Sequence, residues 1–152
     1  MLPPSEAEVA ALLRRAREAQ SANRIDEALA LARRATEVDP ESADAWSYLG
    51  STLVTRRLAF AEGLSALERA LALAPDDPGV NYTLGWCYEF VAYRLEKHRP
   101  EPVEGQATRP YRDPLALYDL AAERLQHCID LDPEPGLKED AQDLLDSILN
   151  RR

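Results

Sequence analysis

Cysteine is scarce in this chain, and its two examples, Cys87 and Cys128, form neither a disulfide framework nor a zinc-finger spacing. Methionine occurs once and phenylalanine twice, so a core must be assembled mainly from Leu, Ala, Tyr and Trp. Few residues are β-branched, and Ala, Leu, Arg and Glu dominate, which favours helix in nearly every window. No apolar run approaches the roughly 18 residues that cross a bilayer. The opening Met1-Leu2-Pro3-Pro4-Ser5-Glu6 has neither a basic stretch nor an apolar one, so no signal peptide is expected. Positive charge is in deficit: 18 basic against 27 acidic residues give −9, which argues against the basic stripe that nonspecific nucleic-acid binding requires. With 152 residues, the chain is expected to form a single domain, free of membrane and nucleic acid, in the reducing cytoplasm.

Chemistry is equally sparse. No phosphate-cradling glycine loop, nucleophile elbow or paired metal motif is present. Glu123 and His127 stand one helical turn apart, but two ligands do not make a metal site. Both cysteines fall at inward helical positions and read as small buried hydrophobes. No catalytic residue, cofactor or metal is therefore expected.

What the chain does have is repetition. Ala35-Thr36-Glu37-Val38-Asp39-Pro40, Ala70-Leu71-Ala72-Leu73-Ala74-Pro75 and Cys128-Ile129-Asp130-Leu131-Asp132-Pro133 close three helices with one phrase. A fixed recurrence of this kind marks stacked helical hairpins. The prolines follow at intervals of 35 and then 58 residues, so the last copy carries an insertion. A capping box, Ser5-Glu6-Ala7-Glu8, opens a first helix ending near Ser21, with Asn23 suited to a left-handed turn. Further helices are predicted from Ile25 to Val38, after Ser42, from Phe60 to Leu73, and from Asp77-Pro78 to about His98. Residues 99–113 read as loop. Asp113-Pro114 then starts a helix reaching Leu131, and a last helix runs from Leu137 to Asn150 with one wet face, as a terminal cap requires.

Trp46-x-x-Leu49-Gly50 with Leu53, then Gly63, Leu67, Ala70 and Pro75, together with Leu84-Gly85-x-x-Tyr88, then Ala121, Leu125, Cys128 and Pro133, resemble the tetratricopeptide repeat family. Ala28, Ala32, Ala35 and Pro40 carry the resemblance into the first repeat, whose first helix is degenerate. It implies an all-α right-handed superhelix of three helix-turn-helix repeats, at about 5–41, 42–76 and 77–134, plus a capping helix at about 136–150. Repeat two has about one extra residue near Arg56 and Arg57, and repeat three an insertion at about 94–116. Gly50 and Gly85 are expected to let the partner helix approach opposite Gly63 and Ala121.

The resemblance further implies a concave groove lined by the first helix of each pair. By position, Leu13, Arg14, Arg17 and Gln20 face it from repeat one, and Ser47, Tyr48, Ser51 and Thr55 from repeat two. Repeat three supplies Tyr82, Thr83, Trp86, Glu89, Phe90 and Tyr93. The expected partner-binding set is Arg14, Arg17, Tyr48, Ser51, Tyr82, Trp86, Glu89, Phe90 and Tyr93, with the aromatics of repeat three forming a pocket beside the two arginines. A rival outcome is that the insertion covers these aromatics and buries them. The family's Lys-Asn-Arg clamp for chaperone tails is absent, since Leu13, Arg17, Ser47, Ser51 and Tyr82 hold the corresponding positions.

The insertion is expected to lengthen both helices of repeat three, with Val91 and Leu95 packing on Leu115, Leu117 and Tyr118. Arg94, Lys97, Arg99, Arg109 and Arg112 concentrate positive charge there, either as a solvated tip or as a contact for an acidic partner or the acidic last helix of a second copy. The function these features predict is a noncatalytic adaptor holding a partner protein or peptide in the groove. The alternative is a self-assembling subunit that forms a homo-oligomer through the inserted hairpin or terminal helix.

Overall fold

The computed structural model describes residues 4–98 and 113–151. Seven helices account for almost all of them: α1 (Pro4–Ser21), α2 (Ile25–Val38), α3 (Ala43–Arg57), α4 (Phe60–Leu73), α5 (Pro78–His98), α6 (Pro114–Asp130) and α7 (Pro135–Leu149). Capping chemistry sets several starts. Ser42 Oγ accepts from the Ala45 amide, Asp77 Oδ1 from Val80 and Asp113 Oδ1 from Leu115. Each satisfies an amide that lacks an intrahelical partner.

Two helix starts differ from expectation. Ser5 lies inside α1, which is already helical at Pro4, so Ser5 does not cap it. Helix α7 begins at Pro135 rather than Leu137, because Glu134 accepts from both Gly136 and Leu137 and proline fits the first helical turn. The expected loop, with Arg99, Arg109 and Arg112, lies outside the described residues apart from Asp113.

Consecutive helices pair as hairpins: α1 with α2, α3 with α4, α5 with α6, and α7 against α6. Odd helices also touch their odd neighbours, whereas no even helix packs its backbone on another even one among the described residues, α2 and α4 meeting through the exposed Arg33–Glu62 ion pair. Stacked hairpins that meet on one side and splay on the other must curve, with the concave face on the odd side. The core follows this stacking in three clusters. One gathers Val9, Leu12, Leu13, Ala35 and Ala45, a second Ile25, Leu29, Ala32, Leu49 and Leu53. The third is far larger, running from Val54 and Leu64 through Leu84 and Leu125 to Ile148. Each leucine buried there contributes about 1.5–3 kcal/mol. Cys87 and Cys128 belong to it, and burial pushes the Cys87 thiol up to about 12 and that of Cys128 upward as well, with Asp77 adding to the latter.

The turns explain the extra residue of repeat two. In the first hairpin, Asn23 is left-handed (φ 61°) and the Arg24 amide returns to Ala19 O. In the second, Leu58 takes the left-handed place (φ 54°) and the Ala59 amide reaches Leu53 O, one residue further back. Repeat three absorbs part of its insertion as helix: α5 has 21 residues against 15 for α3. Val91, Leu117 and Tyr118 are buried and Leu95 packs on them, but Leu115 does not join, being 65% exposed.

Helix approach in the second hairpin is limited by two glycines. A Cβ on Gly50 would fall 2.6 Å from Gly63 O, and one on Gly63 would fall 2.5 Å from Val54 Cγ2 and 2.8 Å from Gly50 O. At Gly85 the neighbours are softer, with Leu125 Cγ at 3.0 Å and Ala121 O at 3.3 Å.

Consecutive hairpins are joined by a polar device that sequence patterns did not announce. Trp46 Nε1 donates to Pro40 O, six residues back, at 2.8 Å. Asn81 stands at the matching position before Leu84-Gly85, and its Nδ2 donates to Pro75 O, also six residues back, at 2.9 Å. Asn81 is fully buried, gives a second bond to Asp77 O, and accepts from Arg124 Nη1 at 3.2 Å, so α6 is tied to the same joint.

Two predictions follow the magnitudes. Gly→Ala gains about 1 kcal/mol of helix propensity, and overpacking against backbone costs about 1–3 kcal/mol. Gly50→Ala and Gly63→Ala are therefore expected to be net destabilising in urea unfolding, with Gly85→Ala within about 1 kcal/mol of wild type. Asn81→Ala takes the side-chain donor from Pro75 O and removes one partner each from Asp77 O and Arg124, and is expected to cost about 1–3 kcal/mol. Trp46→Phe, whose bond is open to water, is expected to lower the melting temperature less.

Candidate functional site: the concave face

The odd helices form the concave face, and one hollow on it takes residues from three of them. Arg17 comes from α1, Asp44, Ser47, Tyr48 and Ser51 from α3, and Val80 and Thr83 from α5, with Asp77 and Gly79 at the edge. A second hollow shares Asp44 and Asp77 and extends over Leu13, Val9 and Ala10 to Glu6, Asp39 and Glu41. Leu13 is nearly fully buried and forms its floor. Five carboxylates, those of Glu6, Asp39, Glu41, Asp44 and Asp77, thus border a trough in which Arg17 is the one lining cation among the described residues.

Arg17 is itself engaged, its guanidinium lying 5.5 Å from the centre of the Tyr48 ring. Tyr48 Oη donates to Gln20 Oε1 at 2.6 Å, so α1 and α3 are locked across the face. The hydroxyls of Ser51 and Thr55 donate to the helix's own carbonyls, at Tyr48 and Ser51, leaving their oxygens as acceptors. Arg14 is exposed on α1.

The aromatics of α5 divide. Trp86 and Tyr93 are exposed, at 36% and 40%, while Tyr82 and Phe90 are half-buried and pack against the large core cluster. Burial raises the Tyr82 hydroxyl pKa, helped by Asp140 of α7. Trp86 and Phe90 rings lie 5.7 Å apart, tilted by 33°. The expected pocket of these aromatics beside Arg14 and Arg17 is not how the face is built: α1 and α5 do not pack together, because α3 stands between them. Arg17 reaches only the first turns of α5, at Val80 and Thr83.

The rings instead carry nearer cations. Arg94 lies over Phe90 at 5.2 Å and Lys97 over Tyr93 at 5.9 Å. Arg151, just beyond α7, lies 5.1 Å from the Tyr93 ring and 5.6 Å from that of Tyr118 on α6. Glu89 is drawn into this group, 3.8 Å from the Arg151 guanidinium. Burial raises the Glu89 carboxyl pKa and Arg151 pulls it back. Tyr118 and Arg151 were not visible as members of the site in the sequence. The available signal was topological: antiparallel α6 and α7 bring the end of one to the start of the other.

No group of three or more His, Cys, Asp or Glu side chains is placed to hold a metal among the described residues. His127 Nε2 sits 3.1 Å from Asp76 Oδ1, and Glu123 accepts from Arg124, so the two are separately engaged. No described helix is long and apolar enough to cross a membrane.

Comparison with known proteins adds a sequence similarity and a fold. No curated protein matches the chain by sequence. Among solved structures, the first TPR of Spaghetti (RPAP3) bound to the HSP90 peptide SRMEEVD matches with a TM-score of 0.66 at 16% identity, over 95% of this chain and 93% of that one. PcrH in complex with the chaperone binding region of PopD matches with a TM-score of 0.66 at 16% identity, over 99% and 98%. The Arabidopsis OM64 TPR domain gives 0.63 at 12% identity, over 94% and 98%. The superpositions show a shared superhelical fold, and at such identities the fold alone. Residues 13–78 match the family described as Tetratricopeptide repeat, spanning α2, α3 and α4 and the second half of α1. The chain is thus similar in sequence to the tetratricopeptide repeat family over that stretch, and its described helices share the superhelical fold of the tetratricopeptide repeat structures above.

Proposed function

We propose that the chain is a noncatalytic cytoplasmic adaptor that holds a peptide or protein segment along its concave face, and that the segment is basic. The observation that carries this reading is the trough shared by α1, α3 and α5, with five bordering carboxylates and a single lining arginine. A trough bordered mainly by one sign of charge concentrates the opposite charge. Two of the similar structures hold a peptide or a protein segment, which supports the general mode of use. The acidic peptide SRMEEVD suits a different surface: here it would meet Glu6, Glu41, Asp44 and Asp77.

Fluorescence anisotropy with two labelled peptides tests this. SRMEEVD is expected to show no binding. The same peptide with its glutamates and aspartate replaced by lysine is expected to bind at low salt and weaken steeply at high salt. Asp44→Asn with Glu41→Gln is expected to weaken it several-fold without moving the melting curve. Binding of both peptides alike, or of SRMEEVD alone, contradicts the proposal.

A second reading, self-assembly, is favoured by one observation. Leu115 and Leu149 are 65% and 50% exposed at adjoining ends of α6 and α7. Light scattering over a range of concentrations separates the two: a constant monomer mass supports the adaptor, and a dimer abolished by Leu115→Asp supports assembly.

A further inference from the structure

The packing around Arg151 is that of a ligand in a site. We propose that Tyr93, Tyr118 and Glu89 form a cage for an arginine side chain of a bound partner, and that Arg151 occupies it in cis. The cage walls come from α5 and α6, the lengthened hairpin, where Tyr118 is buried and Glu89 half-buried. Tyr118 and Glu89 are thus held by their own helices, while Tyr93, 40% exposed, closes the outer side. Arg151 meets all three walls of the cage. Its guanidinium carbon lies 5.1 and 5.6 Å from the two ring centres, Nη1 donates to Tyr118 Oη at 3.1 Å, and Nη2 is 3.8 Å from Glu89 Oε1.

Host and guest are held unequally. The Glu89 side chain is 16% exposed, but that of Arg151 is 35% exposed and stands beyond the last turn of α7. A carboxylate so placed benefits from a cation supplied to it, and Arg151, a third exposed, is exchangeable. Lysine does not replace arginine here: it lacks the planar fork that stacks on two rings while donating from its edge. Lys97 illustrates the point, reaching Tyr93 alone at 5.9 Å, and Arg94 serves Phe90. The carrier of the incoming arginine is the basic segment proposed above, since Glu89 and Tyr93 continue the concave face along α5 beyond Val80 and Thr83. Arg151 then acts as a competitor in cis, and only a partner with an arginine at the right position displaces it.

The inference rests on the groove reading for the arginine's carrier alone, so the test uses free Nα-acetylarginine amide, which needs no groove. Arg151→Ala protein, checked for an unchanged circular dichroism spectrum, is titrated while the ring signals of Tyr93 and Tyr118 are followed by NMR. Both are expected to shift, with affinity about tenfold above that for Nα-acetyllysine amide. Glu89→Gln in the same background is expected to weaken the binding, and the wild-type chain to bind about tenfold less tightly because Arg151 competes. Titration of the wild type also reports displacement through the Arg151 Nε–H signal, which covers the case of an unstable variant. Absent ring shifts in folded Arg151→Ala, equal affinity for the two amides, or wild-type affinity equal to that of Arg151→Ala would each overturn the proposal. Cage binding without binding of the basic peptide would instead remove the groove reading and leave the cage.

Discussion

One hydrogen bond recurs where this molecule has to decide an angle. A side-chain N–H, from Trp46 in one case and Asn81 in the other, reaches back six residues to the carbonyl of the proline that closes the preceding hairpin. Proline ends the helix by removing a donor and clashing with the preceding turn, and its own carbonyl needs a partner. By supplying that partner from the first turns of the next helix, the chain fixes how one hairpin sits on the one before. The chemistry of the donor is free to change, indole or amide, because the position is what matters. At Asn81 the bond is buried and extended to Arg124, so one residue orients α4, α5 and α6 together.

With that angle set, contact among odd helices and separation of even ones make a concave face, and the second hairpin's glycines set its depth. Gly50 and Gly63 bring the backbones of α3 and α4 together, which holds α3 between α1 and α5 as the middle wall of the trough. Polar side chains then divide the face into regions. The α1–α3 junction is closed by Arg17, Tyr48 and Gln20, and the far end of α5 by cations stacked on aromatic rings. Between and beside them lie the carboxylates.

Helix positions were legible because their signals are local. Asn23, Ser42, Asp77-Pro78 and Asp113-Pro114 each act through bonds within a few residues, and the structure places them at the turn or helix start that they imply. The start of α7 was misplaced by reading Pro135 and Gly136 as breakers, when Glu134 turns them into a first turn. The site was less legible. Periodicity put Tyr82, Trp86, Phe90 and Tyr93 on one face but not their neighbours, since which helix lies beside α5 depends on the stacking. Asp39, Glu41, Asp44 and Asp77 were equally hidden, because they are scattered through helix starts and turns in the sequence and converge only in space. Arg151 follows no periodic pattern at all.

The uneven division of the core bears on how the molecule opens. The first hairpin and its neighbour share two small apolar clusters, while one large cluster knits α5, α6 and α7 to α4. Segments with fewer buried contacts open at lower free energy, so opening begins at α1 and α2 and reaches the last hairpin only with the whole. A partner laid across α1, α3 and α5 spans both regimes. Its binding free energy then adds to the cost of releasing the first hairpin, and occupancy of the groove becomes a measure of how much of the solenoid is fully formed.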